Sequence, residues 1–196
     1  MRSVTLRRMF TSIPNWLTWI RILMIPLLVA IFYVGSEVLD PHEKNIFATL
    51  VFLVAALTDW LDGFLARTLG QTSKFGAFLD PVADKLMVTA ALILLVYLDR
   101  VGLFIAMIII GREIAVSALR EWMAILGETK SVAVSFLGKI KTVVQMLAIL
   151  MLLYKDPIFG FPTFELGTWL VYAATILTLW SMFYYLQRAL PLIKNG

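Results

Sequence analysis

Asp59-Trp60-Leu61-Asp62-Gly63-Phe64-Leu65-Ala66-Arg67, then eight residues, then Gly76-Ala77-Phe78-Leu79-Asp80-Pro81-Val82-Ala83-Asp84, is the stretch around which the chain is organised. If both pieces are helical, Asp59 and Asp62 are spaced i, i+3 and Asp80 and Asp84 i, i+4, so each pair shares one helix face. The stretch between them, residues 68–75, is short. It predicts two antiparallel neighbouring helices that aim both pairs at one point. Four acids held that way repel unless a cation sits between them, and hard oxygen ligands favour Mg²⁺, Mn²⁺ or Ca²⁺. Pro81 fits the first turn of a helix that starts near Asp80, where no amide donor is lost. The spacing is not that of an EF-hand loop, which also needs a final Glu.

The surroundings of these acids are oily. Of the 196 residues, 61% are hydrophobic and only 15% charged, and the mean hydropathy is +0.88. A soluble domain is about half apolar and roughly a quarter charged, so the chain reads as an integral membrane protein. With no cysteine, disulfides, iron–sulfur clusters and thiolate zinc sites are excluded. The single histidine, His42, lies between Asp40 and Glu43 in what reads as a short polar loop, and the expectation is a solvated residue.

Six stretches are long enough to cross a hydrocarbon core, which requires about 20 residues of helix: 14–35, 45–67, 76–98, 101–121, 133–154 and 166–188. Their connections are short and no repeat or low-complexity segment interrupts them, so the expectation is an all-α integral membrane protein with six transmembrane helices in a single domain, residues 1–196. Residues 1–12, with Arg2, Arg7 and Arg8 among apolar neighbours, read as a basic segment lying on an anionic membrane face. Cations fix the orientation. With the N-terminus cytoplasmic, fourteen Lys and Arg fall on the inner side, and only Lys44, Arg100 and Lys155 on the outer. Both termini are then cytoplasmic.

That orientation exposes a second pattern. Arg21, Asp59, Asp62, Arg67, Asp80, Asp84, Lys85, Arg112, Glu113, Lys139 and Lys141 all fall in the cytoplasmic halves of their spans. A charge at bilayer depth costs a few kcal/mol or more, about 3 on insertion scales, so this many at one level predicts a shared polar cavity open to the cytoplasm. One Asp–Arg pair in a membrane helix is often a packing ion pair, but four acids flanked by Gly63, Ala66 and Gly76 are hard to explain that way. Carboxylates with a divalent cation, beside Arg and Lys, suit a substrate with adjoining phosphates and an in-line displacement. An acid left over from metal binding can take a proton from an attacking hydroxyl, and Asp84, one turn beyond Asp80, is the choice.

The pattern Asp59-x-x-Asp62-Gly63-x-x-Ala66-Arg67, eight residues, Gly76-x-x-x-Asp80-x-x-x-Asp84 resembles the signature of the CDP-alcohol phosphotransferase family at every defining position. The resemblance implies six transmembrane helices, a homodimer and two divalent cations, Mg²⁺ or Mn²⁺. It implies that Asp59, Asp62 and Asp80 are metal ligands, with Asp84 shared between metal and base catalysis. The CDP-linked donor would lie against Asp59, Asp62, Gly63, Ala66, Arg67 and Gly76. Further stretches, Pro14 to Arg21, Gly111-Arg112-Glu113 through Trp122, and Gly138 to Thr142, resemble members that join CDP-diacylglycerol to sn-glycerol 3-phosphate and release CMP. A phosphorylated acceptor needs cations beyond those on the pyrophosphate, and Arg112, Lys139 and Lys141 provide them, with Arg21 and Thr18 assigned to the same acceptor site. The membrane would be a bacterial inner membrane or an organellar one, and no nucleic-acid partner is implied. The rival readings are a family member that makes phosphatidylinositol phosphate, phosphatidylserine or cardiolipin, and a non-enzymatic carrier that uses intramembrane acids for cation coupling.

Overall fold

The computed structural model describes residues 13–69, 74–125 and 136–195; residues 1–12, with the basic segment, and the connections at 70–73 and 126–135 lie outside the described residues. Among the described residues there are six α-helices and no strands: α1 (Ile13–Tyr33), α2 (Pro41–Leu69), α3 (Lys74–Tyr97), α4 (Leu103–Ile125), α5 (Phe136–Tyr154) and α6 (Thr163–Asn195). The helices coincide with the six expected stretches to within a few residues at most ends. Two of them, over Trp16–Tyr33 and Thr163–Gln187, are long and apolar enough to cross a membrane by length and composition, and Ile140–Tyr154 is a shorter apolar helix. Charged residues interrupt the apolar runs of α3 at Asp80, Asp84 and Lys85, and of α4 at Arg112, Glu113 and Arg120. Large apolar side chains are exposed on every helix, among them Leu23, Leu57, Ile93, Phe104, Val143 and Ile176. A surface of this kind suits lipid rather than water.

Local chemistry moves several boundaries away from where hydropathy alone puts them. α2 begins at Pro41, not at residue 45, because Asp40 and Glu43 form a capping box. The Glu43 amide donates to Asp40 Oδ1 at 2.8 Å, and the Asp40 amide donates to Glu43 Oε2 at 2.9 Å. Pro41 then occupies the first helical position, where its missing amide hydrogen is harmless. His42 is therefore in the first turn of a helix and not in a loop. Pro81 also departs from expectation: α3 begins at Lys74, which puts Pro81 inside the helix, where it removes the bond to the carbonyl four residues earlier. α3 ends in a Schellman motif, with Arg100 N donating to Leu95 O at 2.8 Å and Asp99 N to Val96 O at 3.0 Å. Asp99 holds the left-handed position at φ 56°, a place usually taken by glycine. α6 runs 33 residues, well beyond the expected 166–188; at about 1.5 Å per residue it is longer than a hydrocarbon core is thick.

The chain forms two compact units, Met1–Leu94 with Leu153–Asp156, and Leu95–Leu152 with Pro157–Gly196. In the first, α1 packs along α2, and the core holds Leu28, Ala48, Phe52, Ala55, Ala83, Ala91 and Leu92, all at most 1% exposed. Four of these seven are alanines. Small side chains let helix backbones approach closely where no water is available to drive association. The end of α5 is fastened to the start of α2 in the same unit: His42 Nδ1 lies 2.7 Å from Asp156 Oδ2, Asn45 Nδ2 donates to that oxygen at 3.5 Å, and Tyr154 meets the His42 ring edge-on. His42 thus has a partner 114 residues away that no local pattern announces.

In the second unit α4 packs along α6 around Ala106, Ile109, Val116, Val171, Ala174 and Tyr185. α6 also presses on α5 at Gly167, where an added Cβ would lie 3.0 Å from both Leu152 Cγ and Met151 Cβ. Only glycine fits there without displacement. Arg100 donates to the Leu152 carbonyl at 3.0 Å, a cation on the negative C-terminal end of α5. Between α5 and α6, Ile158 and Phe161 pair across a two-residue turn whose central residues, Phe159 and Gly160, both have positive φ (49° and 83°).

Candidate functional site

The aspartate motif belongs to the first unit. α2 carries Asp59 and Asp62, and α3 carries Asp80 and Asp84, so both pairs have the helical spacing that puts them on common faces. α1 reaches both helices. Arg21 Nη1 pairs with Asp59 Oδ1 at 2.7 Å, and the Thr18 hydroxyl donates to Asp80 Oδ1. Thr18 and Arg21 are spaced i, i+3 and so lie on one face of α1, which brings the two halves of the motif to a single turn of that helix. Arg21 is 1% exposed and Thr18 fully buried, whereas the Asp59 side chain is 41% exposed. The cation and the hydroxyl are locked in place, and the Asp59 carboxylate that Arg21 orients keeps access to a ligand. Hydrogen bonds of this charge-assisted kind are the stronger ones.

Asp62, Gly63, Ala66 and Arg67 fall on α2 and Lys139 on α5, but the placement of these residues beyond the helix backbone lies outside the described residues. Gly76 is buried on α3, and Asp84 is half-buried one turn after Asp80. The donor set fits a hard divalent cation in its chemistry, since carboxylate oxygens are the ligands such ions take. Arg21 engages Oδ1 of Asp59 and Thr18 engages Oδ1 of Asp80. Among the described residues, no three His, Cys, Asp or Glu side chains gather closely enough to hold a metal by themselves.

Arg112 and Lys141 belong to the second unit. Arg112 Nη2 donates to Ser181 Oγ at 2.6 Å, and its Nη1 lies 3.4 Å from Glu113 Oε1. Lys141 Nζ donates to the same Glu113 oxygen. Arg120 donates to the Tyr185 hydroxyl at 2.6 Å, with its guanidinium 4.8 Å from the centre of that ring, a cation–π contact inside the unit. Sequence reasoning singled out Arg112 and Lys141 but missed Ser181 and Tyr185, which receive the two arginines, and gave Glu113 no role. Ser181 sits among apolar residues of α6 at the end of a stripe of buried hydroxyls, Thr175, Thr178 and Ser181, each three residues apart, and that stripe was the available signal. Thr18 and Arg21, grouped in sequence with the acceptor cations, hold Asp80 and Asp59 of the first unit.

A model of the CDP-alcohol phosphatidyltransferase family matches residues 11–180. A protein of Haemophilus influenzae is 50% identical over 181 residues, covering 91% of this chain and 93% of the relative. Proteins of Sodalis glossinidius and of Escherichia coli K12 are each 47% identical, over 182 and 180 residues, covering 91% of this chain and 94% of each relative. All three relatives are named CDP-diacylglycerol–glycerol-3-phosphate 3-phosphatidyltransferase.

Proposed function

The chain belongs to the CDP-alcohol phosphatidyltransferase family, and from that premise we propose that it transfers the phosphatidyl group of CDP-diacylglycerol to sn-glycerol 3-phosphate, giving phosphatidylglycerophosphate and CMP. It is an enzyme, and relatives of nearly its full length carry the name of this reaction. The observation that carries the reading within the molecule is the turn of α1 that holds Asp59 through Arg21 and Asp80 through Thr18. A motif split between two helices is useful only if both halves are presented together, and buried residues of a third helix do that here.

Members of the family generally depend on a divalent cation. In the proposed mechanism Asp59, Asp62 and Asp80, with Asp84, would hold Mg²⁺ or Mn²⁺ as two ions, which would supply positive charge against the donor pyrophosphate. Gly63, Ala66, Arg67 and Gly76 line the place of the CDP group. Asp84 takes the proton from the acceptor hydroxyl as the hydroxyl oxygen forms a bond to the phosphatidyl phosphorus, the bond from that phosphorus to the bridging oxygen of the pyrophosphate breaks, and CMP leaves with the bridging oxygen. Arg112, Lys139 and Lys141 bind the acceptor's own phosphate, which carries close to two negative charges and would be repelled by a donor pyrophosphate without added cations. Thr18 and Arg21 keep Asp80 and Asp59 oriented, and any contact they make with the acceptor is additional to that work.

The chain is a membrane protein by its apolar helices and by its family. Six spans, cytoplasmic termini, a site facing the cytoplasm of a bacterial inner membrane and a homodimer complete the proposal. The fourteen-to-three distribution of cations and the bacterial relatives support its orientation and location. The test is CMP release by the purified chain in detergent with CDP-diacylglycerol and a panel of acceptors. Glycerol 3-phosphate should be used well, and glycerol, serine and inositol phosphate poorly. Preference for inositol phosphate would refute the acceptor assignment; no CMP release with any acceptor would refute the reaction.

A further inference from the structure

Two buried cations in the second unit share one carboxylate. Arg112 is 6% exposed and Lys141 3%, and among the described residues Glu113 is the acid that both contact. Buried cations are normally matched by their own counter-charges, because an uncompensated one costs several kcal/mol, about 3–5 where a partner is removed. The cluster is therefore positive in excess, and Arg120 on the same helix adds to that. A second, independent feature points the same way: Arg112 Nε is buried and has no hydrogen-bond partner, so a guanidinium donor inside the unit is left to be satisfied. A bound anion answers both the excess charge and the unused donor.

The two contacts of Glu113 are unequal. Lys141 donates to it directly, whereas Arg112 Nη1 at 3.4 Å is beyond a good hydrogen bond, and the short contact of Arg112 is the one its Nη2 donates to Ser181 Oγ. Arg112 is thus aimed by α6 and Lys141 by Glu113. We propose that Glu113 is a positioning residue for the reaction: its carboxylate keeps Lys141 directed beside Arg112 so that the pair presents a preformed site to the phosphate of the acceptor. This rests on the reading of Arg112 and Lys141 as acceptor-phosphate ligands. In the absence of acceptor, Glu113 supplies the negative charge that the two cations need at close quarters. When a phosphate arrives, it takes over most of that compensation and the unused Nε gains a partner.

The experiment uses the full-length purified chain and the CMP-release assay, with each substrate varied in turn. The variants are Glu113→Gln, Glu113→Asp, Lys141→Gln, Arg112→Gln and the double variant Glu113→Gln/Lys141→Gln. Glu113→Gln should raise the KM for glycerol 3-phosphate roughly tenfold or more, the scale of one lost charge-assisted hydrogen bond, and leave the KM for CDP-diacylglycerol nearly unchanged. Glu113→Asp should restore part of the loss, and the double variant should be no worse than Lys141→Gln alone, since the carboxylate acts through the lysine. Equal damage to both KM values, or effects of Glu113→Gln and Lys141→Gln that multiply, would overturn the proposal and make Glu113 a structural residue. If Lys141→Gln and Arg112→Gln both left the acceptor KM unchanged, the acceptor-site reading itself would fail and the proposal with it. If Glu113→Gln yielded no folded protein, Glu113→Asp would decide: a raised acceptor KM alone supports the role, and two unchanged KM values refute it.

Discussion

Replacing Arg21 by Met tests whether α1 serves the aspartates or the acceptor. Met keeps much of the apolar stem inside the unit and removes only the guanidinium that pairs with Asp59 Oδ1 at 2.7 Å. Breaking a fully buried ion pair costs about 3–5 kcal/mol because the partner is stranded without water. Asp59, however, is 41% exposed and can be rehydrated. The loss should therefore be nearer that of one charge-assisted hydrogen bond, about 1.5–3 kcal/mol, or roughly tenfold to a hundredfold in an equilibrium constant. Thr18→Val is the companion, nearly isosteric at a fully buried site, so it removes the bond to Asp80 without opening a cavity. The assay is CMP release as a function of Mg²⁺ or Mn²⁺ concentration, then as a function of each substrate. Both variants should need roughly ten to a hundred times more cation for half-maximal rate, with the glycerol 3-phosphate KM little changed once cation is saturating. An acceptor KM raised by that factor, with the cation requirement unmoved, would refute the reasoning and place Thr18 and Arg21 at the acceptor.

Removal of divalent cation by EDTA should abolish CMP release and its return should restore it, with Asp59→Asn and Asp80→Asn imitating the chelated state; full turnover in chelator would exclude the proposed cofactor. Asp84→Asn keeps the volume but not the proton acceptor, and should lower kcat by roughly 10²–10⁴-fold, measured with CDP-diacylglycerol binding in parallel to separate turnover from affinity. The chain has no cysteine, so single cysteines report topology cleanly: Ser36→Cys and Phe159→Cys should react with an impermeant maleimide only from the outer face, and Glu121→Cys only from the cytoplasmic one. Gly167→Leu should sharply lower thermal stability, because even a Cβ there meets Leu152 and Met151 at 3.0 Å, while Gly111→Ala, with nothing within 4 Å, should leave it unchanged or slightly raised.

Hydropathy and spacing are local properties, and what they govern was readable along the chain. The apolar runs located the six helices of the described residues because an apolar segment withdrawn from water must satisfy its own backbone, and the helix does so within the segment. The i, i+3 and i, i+4 acid pairs located the candidate site because helical geometry is the same wherever a helix forms. The start of α2 was also written locally, in Asp40 and Glu43, but a capping box outweighs hydropathy over the first turn and so moved the boundary and His42 with it. Pro81 misled for a related reason: proline favours a helix start, yet a helix already nucleated at Lys74 runs through it. What tertiary structure alone decided was partnership. Thr18 and Arg21 lie 62 and 38 residues from the aspartates they hold, Arg112 lies 69 from Ser181, and His42 lies 114 from Asp156. A charge in an apolar span announces that it must have a partner, because leaving it alone is so unfavourable, but which partner depends on the rotation and depth of packed helices, and no residue encodes these by itself.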